Sequence, residues 1–364
     1  MASEGRYERL IQRREHLKAE GLERRLRRVQ PLGATRAVVD GREVLVFCSN
    51  DYLGLAQHPE VVAASAGAGS GGSRLISGTR PVHLELEAAL EEFFGRPALL
   101  FPSGYHANLA LLSTVLQPED QVASDALNHA SIIDALRLAR CQRQVIPHLS
   151  TAVQPHTRLI AVEGLFSMDG DIPDLRAYPK EPWLFVDEAH AFGCLGEGRG
   201  AAYAAGVEPD FLVATLGKAL GSSGAFVVGP PELKALMISA ARPFVYTTAL
   251  PEGVAAAALA ALRLADAERR ERLAHNARLL RQWLGEEGVE VLGEAHILPV
   301  RAGSTAMALS EALLEEGIYA PGIRYPTVPR GQERVRLTVS AAHDEAELEA
   351  CVAAFGRARR RLHR

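Results

Sequence analysis

Residues 183–228 read WLFVDEAHAFGCLGEGRGAAYAAGVEPDFLVATLGKALGSSGAFVV. This stretch contains three short apolar runs: Trp183 to Asp187, Phe211 to Thr215 and Ala225 to Val228. Each run has the length and the aromatic or β-branched content of a buried strand, and polar or glycine-rich segments separate them. The stretch therefore predicts neighbouring strands of one sheet, connected at its edges by turns that can hold a ligand.

The same alternation continues toward the N-terminus. Apolar runs alternate there with helical patterns, which predicts right-handed βαβ units and a mostly parallel central sheet in an α/β fold. The predicted strands are Ala98 to Phe101, Gln121 to Ser124 and Leu159 to Glu163. The predicted helices are Leu84 to Phe94, Gly104 to Leu116 and Ser131 to Arg140.

The two ends of the chain have a different character. Residues 6–28 predict a charged amphipathic helix, and residues 37–47 predict a hairpin around Asp40-Gly41. After Pro251 the composition shifts to a long helix, Val254 to Glu286, followed by a smaller α+β region. We predict an N-terminal segment at 1–45, a large domain at 46–250 and a small C-terminal domain at 251–364. The strands predicted in the small domain are Ile297 to Val300, Ile318 to Pro321 and Arg334 to Val339.

The composition is that of an ordinary globular protein. Hydrophobic residues make up 48% of the chain, charged residues make up 23%, and the net charge is −4, which gives no general reason to expect a nucleic-acid or membrane partner. The four cysteines have no metal-ligand spacing, so we expect no metal site. No apolar run has the length of a membrane span, and the first residues do not resemble a signal peptide. We expect a cytoplasmic protein.

Lysine usage is uneven. The chain has 40 basic residues, of which only four are lysines. Lys218 lies in the glycine-rich stretch between Thr215 and Gly224, directly after a predicted strand. Arginine cannot replace lysine where a deprotonated amine is needed, and glycines let the backbone approach a cofactor. We therefore predict that Lys218 forms a Schiff base, although an ordinary loop lysine is the simpler alternative.

The predicted strand that ends at Asp187 provides a carboxylate at its last residue, and His190 provides an imidazole three residues later. Asp187 lies at the binding edge of the predicted sheet, where it can keep a pyridine nitrogen protonated, and His190 can reach a phenolic oxygen. The letters Asp-Glu-Ala-His also occur in helicases. That interpretation needs a GxxxxGK[ST] phosphate loop, and Lys218 is followed by Ala219 with no glycine at the required upstream position.

Two further strand-to-helix turns carry polar groups. Gly104 and Tyr105 begin a helix whose N–H groups can bind phosphate, and His129 places an aromatic ring beside the same edge. Ordinary turn chemistry is the alternative at each turn. The motif GxGxxG at residues 67–72 follows a helical pattern and not a strand, so we interpret it as a loop and not as a dinucleotide site.

Taken together, these motifs resemble the α-oxoamine synthases, a group of fold-type I pyridoxal-phosphate enzymes. The resemblance extends from about Gly33 to Phe355. It implies a pyridoxal 5'-phosphate cofactor, a large domain with a mostly parallel sheet, a smaller α+β domain and a homodimer with shared active sites. The motifs that carry it are SNDYLGL (49–55), FSMDGD (166–171), DEAH (187–190), GEGRG (196–200) and TLGK (215–218).

The resemblance also implies roles for individual residues. Lys218 would hold the cofactor and transfer protons, His129 would stack on its ring, and Asp187 would pair with its nitrogen. On the same basis Arg336 and Asn50 would bind the amino acid carboxylate. The remaining implied contacts are with the phenolic oxygen (His190, Ser167), the phosphate (Gly104, Tyr105, Thr215), a phosphate across the dimer (Thr247, Thr248) and the acyl substrate (Arg27, Thr327).

The segments PTVP (326–329) and RVRLTVSAAH (334–343) resemble the branch of the family that serves biotin synthesis. That branch implies the condensation of L-alanine with a pimeloyl thioester, on CoA or on acyl carrier protein. A sister enzyme that uses glycine and acetyl-CoA remains an alternative, because residues 128–134 resemble that branch equally, and so does one that joins alanine to another acyl thioester. A non-catalytic pyridoxal-phosphate-binding regulator is a third interpretation, but it would need a DNA-binding domain that the short N-terminal segment cannot form.

Overall fold

The computed structural model describes residues 6–362, so the first five residues of the predicted N-terminal segment and the last two of the small domain lie outside it. The described strands are β1 (Val29–Pro31), β2 (Arg36–Val39), β3 (Arg42–Val46), β4 (Ala98–Phe101), β5 (Gln121–Asp125), β6 (Gln142–Ile146), β7 (Thr157–Glu163), β8 (Trp183–Asp187), β9 (Phe211–Thr215), β10 (Ala225–Val228), β11 (Ile297–Arg301), β12 (Ile318–Tyr319), β13 (Gly322–Ile323) and β14 (Arg334–Thr338).

Helices surround these strands. The α-helices are α1 (Glu8–Ala19), α2 (Pro59–Ala64), α3 (Pro81–Phe94), α4 (Gly104–Val115), α5 (Ala130–Ala139), α6 (Ala201–Ala204), α7 (Pro231–Ala240), α8 (Arg242–Val245), α9 (Glu252–Leu264), α10 (Ala267–Glu286), α11 (Ala306–Glu315) and α12 (Glu345–Leu362). None of the helices in residues 6–362 is both long enough and apolar enough to cross a bilayer.

A seven-stranded sheet forms the centre of the large domain. Its strand order is β4-β10-β9-β8-β7-β5-β6, and the five strands from β9 to β6 run parallel to their neighbours. Only β10 runs antiparallel to both strands beside it. The predicted α/β fold with a mostly parallel sheet is confirmed. The carboxyl ends of the five parallel strands consequently share one edge, where ligands bind in such folds.

Apolar side chains cover both faces of this sheet. Along β4, Leu99 packs into the core beneath α4 and α5, whereas Leu100 packs into the core on the opposite face. This alternation is the two-residue period of a strand, and it explains why a strand that is buried on both faces reads as an unbroken apolar run. The sheet is therefore a rigid platform for the turns at its edge.

The small domain is built on a three-stranded sheet of order β11-β14-β13. Side chains alternate along its central strand, β14. Val335 and Leu337 enter the hydrophobic core, whereas Arg334, Arg336 and Thr338 point toward loops of the large domain. Strand β14 therefore connects the core of the small domain to the site described below.

The predicted hairpin is present and has a further partner. Strands β2 and β3 pair around Asp40 and Gly41, and β3 also pairs in parallel with β12 of the small domain. Helix α9 in turn packs against α2 and α3 of the large domain. Because contacts cross both predicted boundaries, at residues 45 and 250, the three-part division stays a proposal.

Several elements differ from the prediction, including the strand predicted at Ile318 to Pro321, which ends at Tyr319 and is followed by β13. The N-terminal helix ends at Ala19 because Gly21 adopts a positive φ of 65°, so most of the arginine-rich segment that follows is irregular. The single helix predicted from Val254 is two helices, because the Asp266 side chain accepts a hydrogen bond from Arg269 N (2.9 Å) and begins α10. Strand β6 was not predicted, because this edge strand has the polar, half-exposed sequence QRQVI.

Candidate active site

A cavity of about 200 Å³ lies at the carboxyl edge of the central sheet, between the ends of β7, β8 and β9 and the starts of α4 and α5. Seven of the residues predicted from the sequence line it, so the structure brings together most of the predicted cofactor site. They are Gly104, Tyr105, His129, Asp187, His190, Thr215 and Lys218.

Asp187 is the buried last residue of β8. Its Oδ2 accepts a hydrogen bond from Asn108 Nδ2 at 2.8 Å, and its Oδ1 accepts one from the backbone N of Ala189 at 2.9 Å. These two donors fix the orientation of the carboxyl group. Asp187 therefore presents an oriented carboxyl group to the cavity.

Lys218 lies in the turn between β9 and β10, on the wall of the same cavity. Burial lowers the pKa of its ammonium group, and the carboxylates of Asp187 and Glu163 oppose that change. The guanidinium of Arg336 lowers the Lys218 pKa further. The amine is therefore deprotonated at a lower pH than an ordinary lysine and is a better nucleophile.

His129 caps the N-terminus of α5. Its backbone N donates to Glu163 Oε1 at 2.6 Å, and its Nδ1 lies 2.7 Å from Ser131 Oγ, so both the turn and the ring are fixed. Burial lowers the pKa of His129; Asp187 opposes this change and Lys218 adds to it. A neutral imidazole with one fixed nitrogen is suited to stack on a planar ring and to exchange a hydrogen bond at Nε2.

His190 belongs to a buried polar chain behind the cavity. The Tyr52 hydroxyl lies 2.6 Å from His190 Nδ1 and donates to Asn50 Oδ1 at 3.1 Å. Burial and the nearby cation Lys218 hold the pKa of His190 well below its usual value. With Nδ1 engaged by Tyr52, Nε2 of this neutral ring is free for a group in the cavity. Asn50 does not line the cavity and is linked to His190 through Tyr52.

The start of α4 forms one end of the cavity. The Ser103 side chain caps this helix by accepting from His106 N at 3.3 Å, and the first-turn amides of Gly104 and Tyr105 have no acceptor within the helix. Thr215 contributes its hydroxyl from the end of β9, where it accepts from Gly217 N at 3.2 Å. Because helix N-termini attract anions, this end of the cavity is suited to a phosphate.

Ser167 and Arg336 lie together outside the residues that line the cavity. Arg336 Nε donates to the backbone oxygen of Ser167 at 2.5 Å. Arg336 is almost fully buried. Its Nη2 is also buried and has no hydrogen-bond partner among residues 6–362. An unpaired guanidinium nitrogen beside Lys218 is a donor suited to a carboxylate.

Thr247 and Thr248 do not reach the cavity of their own chain. They line a separate surface groove of about 460 Å³ with Ile76 and Tyr246, whose side chains are 84% and 74% exposed. The prediction that these threonines bind phosphate across a dimer needs a second copy of the chain, and it stays a prediction.

Arg27 and Thr327 also lie away from the cavity, near the junction of the N-terminal segment and the small domain. Arg27 forms ion pairs with Glu311 and Asp40. Thr327 accepts a hydrogen bond from Arg24, at 3.2 Å, and not from Arg27. Their roles in binding the acyl substrate stay predictions.

The sequence interpretation assigned no role to three polar residues that line the cavity: Asn108, Ser131 and Glu163. Asn108 is four residues after Gly104 on α4, so helical periodicity places it on the same face. Glu163 is the last residue of β7 and pairs in register with Asp187 of β8. Two neighbouring parallel strands that both end in an acidic residue were therefore a usable signal. Burial and the charge of Asp187 raise the Glu163 pKa well above its usual value.

The chain belongs to the class I and II aminotransferase family, which matches residues 42–355, and within it to the α-oxoamine synthases. The 8-amino-7-oxononanoate synthase of Geobacter sulfurreducens is 44% identical over 374 residues, covering 94% of this chain and 96% of the relative. This relationship confirms the family resemblance that the sequence motifs indicated.

Solved structures agree with this assignment. A serine palmitoyltransferase of S. paucimobilis with a bound PLP–myriocin aldimine superposes with a TM-score of 0.91 at 31% identity, covering 98% of each chain. An 8-amino-7-oxononanoate synthase from Francisella tularensis superposes with a TM-score of 0.76 at 27% identity, covering 88% of this chain and 99% of the other. The fold-type I architecture is therefore confirmed.

Proposed function

We propose that this protein condenses L-alanine with a pimeloyl thioester to give 8-amino-7-oxononanoate, CO2 and a free thiol, a step of biotin synthesis. It is an acyltransferase that depends on pyridoxal phosphate. The observation that carries the proposal is the meeting of Lys218, Asp187 and His129 in one cavity of a chain 44% identical to an 8-amino-7-oxononanoate synthase.

The residues of the cavity fit pyridoxal phosphate. Among the residues that line the cavity, Lys218 would supply the amine that bonds the aldehyde, Asp187 would pair with the ring nitrogen, His129 would cover the ring, and the start of α4 would receive the phosphate. The phenolic oxygen would lie near His190. When bound, the cofactor stabilises negative charge at the α-carbon of the amino acid.

Arg336 supports an amino acid as the second ligand. Its guanidinium is fixed at Nε by Ser167 O, while Nη2 has no partner among the described residues. A carboxylate bound there would bring the α-carbon toward Lys218. Asn50 would assist from the neighbouring loop, where Tyr52 already fixes its side-chain oxygen.

Lys218 is the proposed base. Once alanine occupies the site, the Lys218 amine would be free to remove the α-proton, and burial, which lowers its pKa, favours the neutral form that can act as a base. His129 is placed to donate a hydrogen bond to the thioester carbonyl during condensation. After CO2 leaves, Lys218 returns a proton to the product.

We also propose that the active enzyme is a homodimer. In one chain the groove with Thr247 and Thr248 is separate from the cavity, and its rim exposes the apolar side chains of Ile76 and Tyr246. A second copy would cover this apolar surface and bring the threonines to the phosphate end of the partner cavity. The turnover test described below also compares the two possible carriers of the pimeloyl group, CoA and acyl carrier protein.

The cytoplasm is the proposed location. In support, Cys48, Cys141, Cys194 and Cys351 are all free thiols, as expected for a reduced compartment.

The test is turnover by the purified protein. Alanine with pimeloyl-CoA or pimeloyl-carrier protein should release free thiol and form an amino ketone identified by mass spectrometry. Parallel reactions with glycine and acetyl-CoA, and with serine and palmitoyl-CoA, test the sister reactions. A preference for either sister pair would contradict the proposed substrates.

Two lysine variants test the site itself. Lys218→Ala should lower kcat by about 10³-fold or more, because covalent attachment and proton transfer are both lost. Lys180→Ala, at an exposed position, is the matched control and should keep wild-type turnover. Wild-type turnover by Lys218→Ala would overturn the assignment.

A further inference from the structure

His148 lies outside the cavity, in the loop after β6, and has no role in the reaction described above. Its Nδ1 lies 2.9 Å from Asp125 Oδ1, and its Nε2 lies 2.8 Å from Asp171 Oδ2. Ionised carboxylates only accept hydrogen bonds, so both ring nitrogens must donate. The ring is therefore an imidazolium between two carboxylates.

Asp125 connects His148 to the turn that carries His129. It is the buried last residue of β5, and its Oδ1 also accepts from Leu127 N at 2.8 Å. Its backbone oxygen accepts from Asn128 N at 3.2 Å, and its Oδ2 accepts from Leu149 N at 2.8 Å. Asp125 thus accepts hydrogen bonds from both residues that precede His129 and end its turn, Leu127 and Asn128.

Asp171 connects His148 to the loop that carries Ser167. This loop closes on itself because Phe166 N donates to Asp171 O at 3.0 Å and Gly170 N donates to Phe166 O at 2.9 Å. Ser167 O is the acceptor for Arg336 Nε. A shift of Asp171 would therefore move Ser167 O, the acceptor of Arg336, and Arg336 is the residue proposed to hold the amino acid carboxylate.

The surroundings of His148 favour the charged ring. The ring packs at right angles to Phe166, with centroids 4.5 Å apart. Burial alone would lower the pKa of His148, but its hydrogen bonds to Asp125 and Asp171 raise that pKa to about 10. The imidazolium is thus the resident form at neutral pH.

We propose that His148 is a positioning residue that ties the His129 turn to the Ser167 loop, so that the ring-stacking and carboxylate-binding sides of the site keep one relative geometry. The kinetic part of this proposal rests on the proposed function. Its structural part concerns only two segments of the chain, residues 125–129 and 166–171.

Two amide variants separate the two ends of the connection. In His148→Gln the amide nitrogen takes the place of Nε2, so the bond to Asp171 is kept and the bond to Asp125 is lost. In His148→Asn the amide nitrogen takes the place of Nδ1, so the bond to Asp125 is kept and the bond to Asp171 is lost. Hydrogen exchange of the protein, measured by mass spectrometry, should rise several-fold in residues 125–129 for His148→Gln and in residues 166–171 for His148→Asn.

The kinetics should divide in the same way. His148→Gln should lower kcat about tenfold with little change in the KM for alanine, because the His129 turn is released. His148→Asn should raise the KM for alanine about tenfold, because the acceptor of Arg336 is released. The matched controls are His275→Gln and His275→Asn, since His275 forms an exposed pair with Glu345 at 3.7 Å.

Unchanged exchange in both segments, or a lower melting temperature with kcat and KM unchanged, would overturn the proposal. If the His148 variants do not fold, Asp171→Asn tests the same connection. It should raise hydrogen exchange in residues 166–171 and the KM for alanine. Unchanged values for both would also overturn the proposal. If the wild type does not use alanine and a pimeloyl thioester, the proposed function fails, while the exchange measurements still decide the role of His148.

Discussion

Lys218 experiences opposing electrostatic effects within one small cavity. Burial favours the neutral amine, the carboxylates of Asp187 and Glu163 favour the ammonium, and Arg336 favours the amine again. Because burial is the largest of these effects, the pKa falls. The direction of this change follows from the whole set of neighbours and not from any one contact, so the sequence motif around Lys218 alone could not establish it.

This balance predicts how Lys218 reacts with aldehydes. In the cofactor-free protein, reductive alkylation of Lys218 by formaldehyde and cyanoborohydride should depend on pH with a midpoint below 10.5, the ordinary value for a lysine. Peptide mapping is simple because the chain has only four lysines. Exposed Lys180 serves as the reference for reagent activity. A midpoint at or above 10.5 would contradict the predicted direction.

His148 gives a prediction about stability at the same scale. Its pKa is raised from 6.5 to about 10 in the folded chain, so its contribution is complete below pH 6.5 and is lost as the pH rises from 6.5 to 10. The difference in the free energy of unfolding between the wild type and His148→Gln should therefore shrink by a few kcal/mol (on the order of 1.4 kcal/mol per pH unit) between pH 6 and pH 9.5. Chemical denaturation at both pH values measures it, and a difference independent of pH would refute it.

At the scale of elements, strand β14 joins the two domains. Arg334, Arg336 and Thr338 point the same way because strand side chains alternate. They donate respectively to Met168 O at 3.1 Å, Ser167 O at 2.5 Å and Ser49 O at 2.7 Å. Because these three side chains lie on one face of β14, the same strand positions Arg336, the proposed carboxylate-binding residue, and the side chains that contact the loops of the large domain.

This arrangement predicts a specific effect of Arg336→Lys. An ammonium cannot donate both to Ser167 O and, in a planar pair, to a carboxylate, so the KM for alanine should rise about tenfold or more while kcat changes less. Steady-state kinetics measures the effect. Arg301→Lys on neighbouring β11, where the side chain is exposed and lies 3.9 Å from Glu290, is the control and should behave as wild type. An unchanged KM in Arg336→Lys would remove Arg336 from the substrate site.

Element prediction from the sequence succeeded where burial dominates. The bounds of β8, β9 and β10 agree with the sequence pattern because these strands lie inside the sheet, where an apolar run is a physical requirement. The pattern failed for β6, a polar edge strand, and for the break at Asp266, which depends on one capping side chain. Neither the polar edge strand β6 nor the helix break at Asp266 changes the hydrophobic pattern of the sequence, so that pattern could not reveal them.

At the scale of the whole molecule, the groove lined by Ile76 and Tyr246 exposes apolar surface that the second copy of the proposed homodimer would cover. Ile76→Asp should weaken self-association and lower the affinity for pyridoxal phosphate, because a charge would be buried in the contact and the threonine segment would no longer reach the phosphate. Analytical ultracentrifugation and cofactor titration measure the two effects. Leu362→Asp, on the C-terminal helix, is the control. A monomeric wild type with full cofactor affinity would contradict the shared site.

At this scale the site could be predicted only in part. Motifs at the ends of successive strands placed seven residues at one cavity, because parallel strands bring their carboxyl ends to a common edge. Arg27 could not be located from the sequence, because its partner Glu311 lies far from it along the chain. The proposed roles of Thr247 and Thr248 depend on a second chain, which no pattern within one sequence specifies.

The donors of β14 bear on how this chain can evolve. The acceptors at Ser49, Met168 and Ser167 are backbone oxygens, which every amino acid provides, whereas Arg334 also pairs with the side chain of Asp169. Mutational drift in those two loops can therefore alter the chemistry of the substrate pocket without removing the bonds that seat one domain on the other. New acyl or amino acid preferences can therefore evolve while the hydrogen bonds from β14 to the backbone of these loops stay in place.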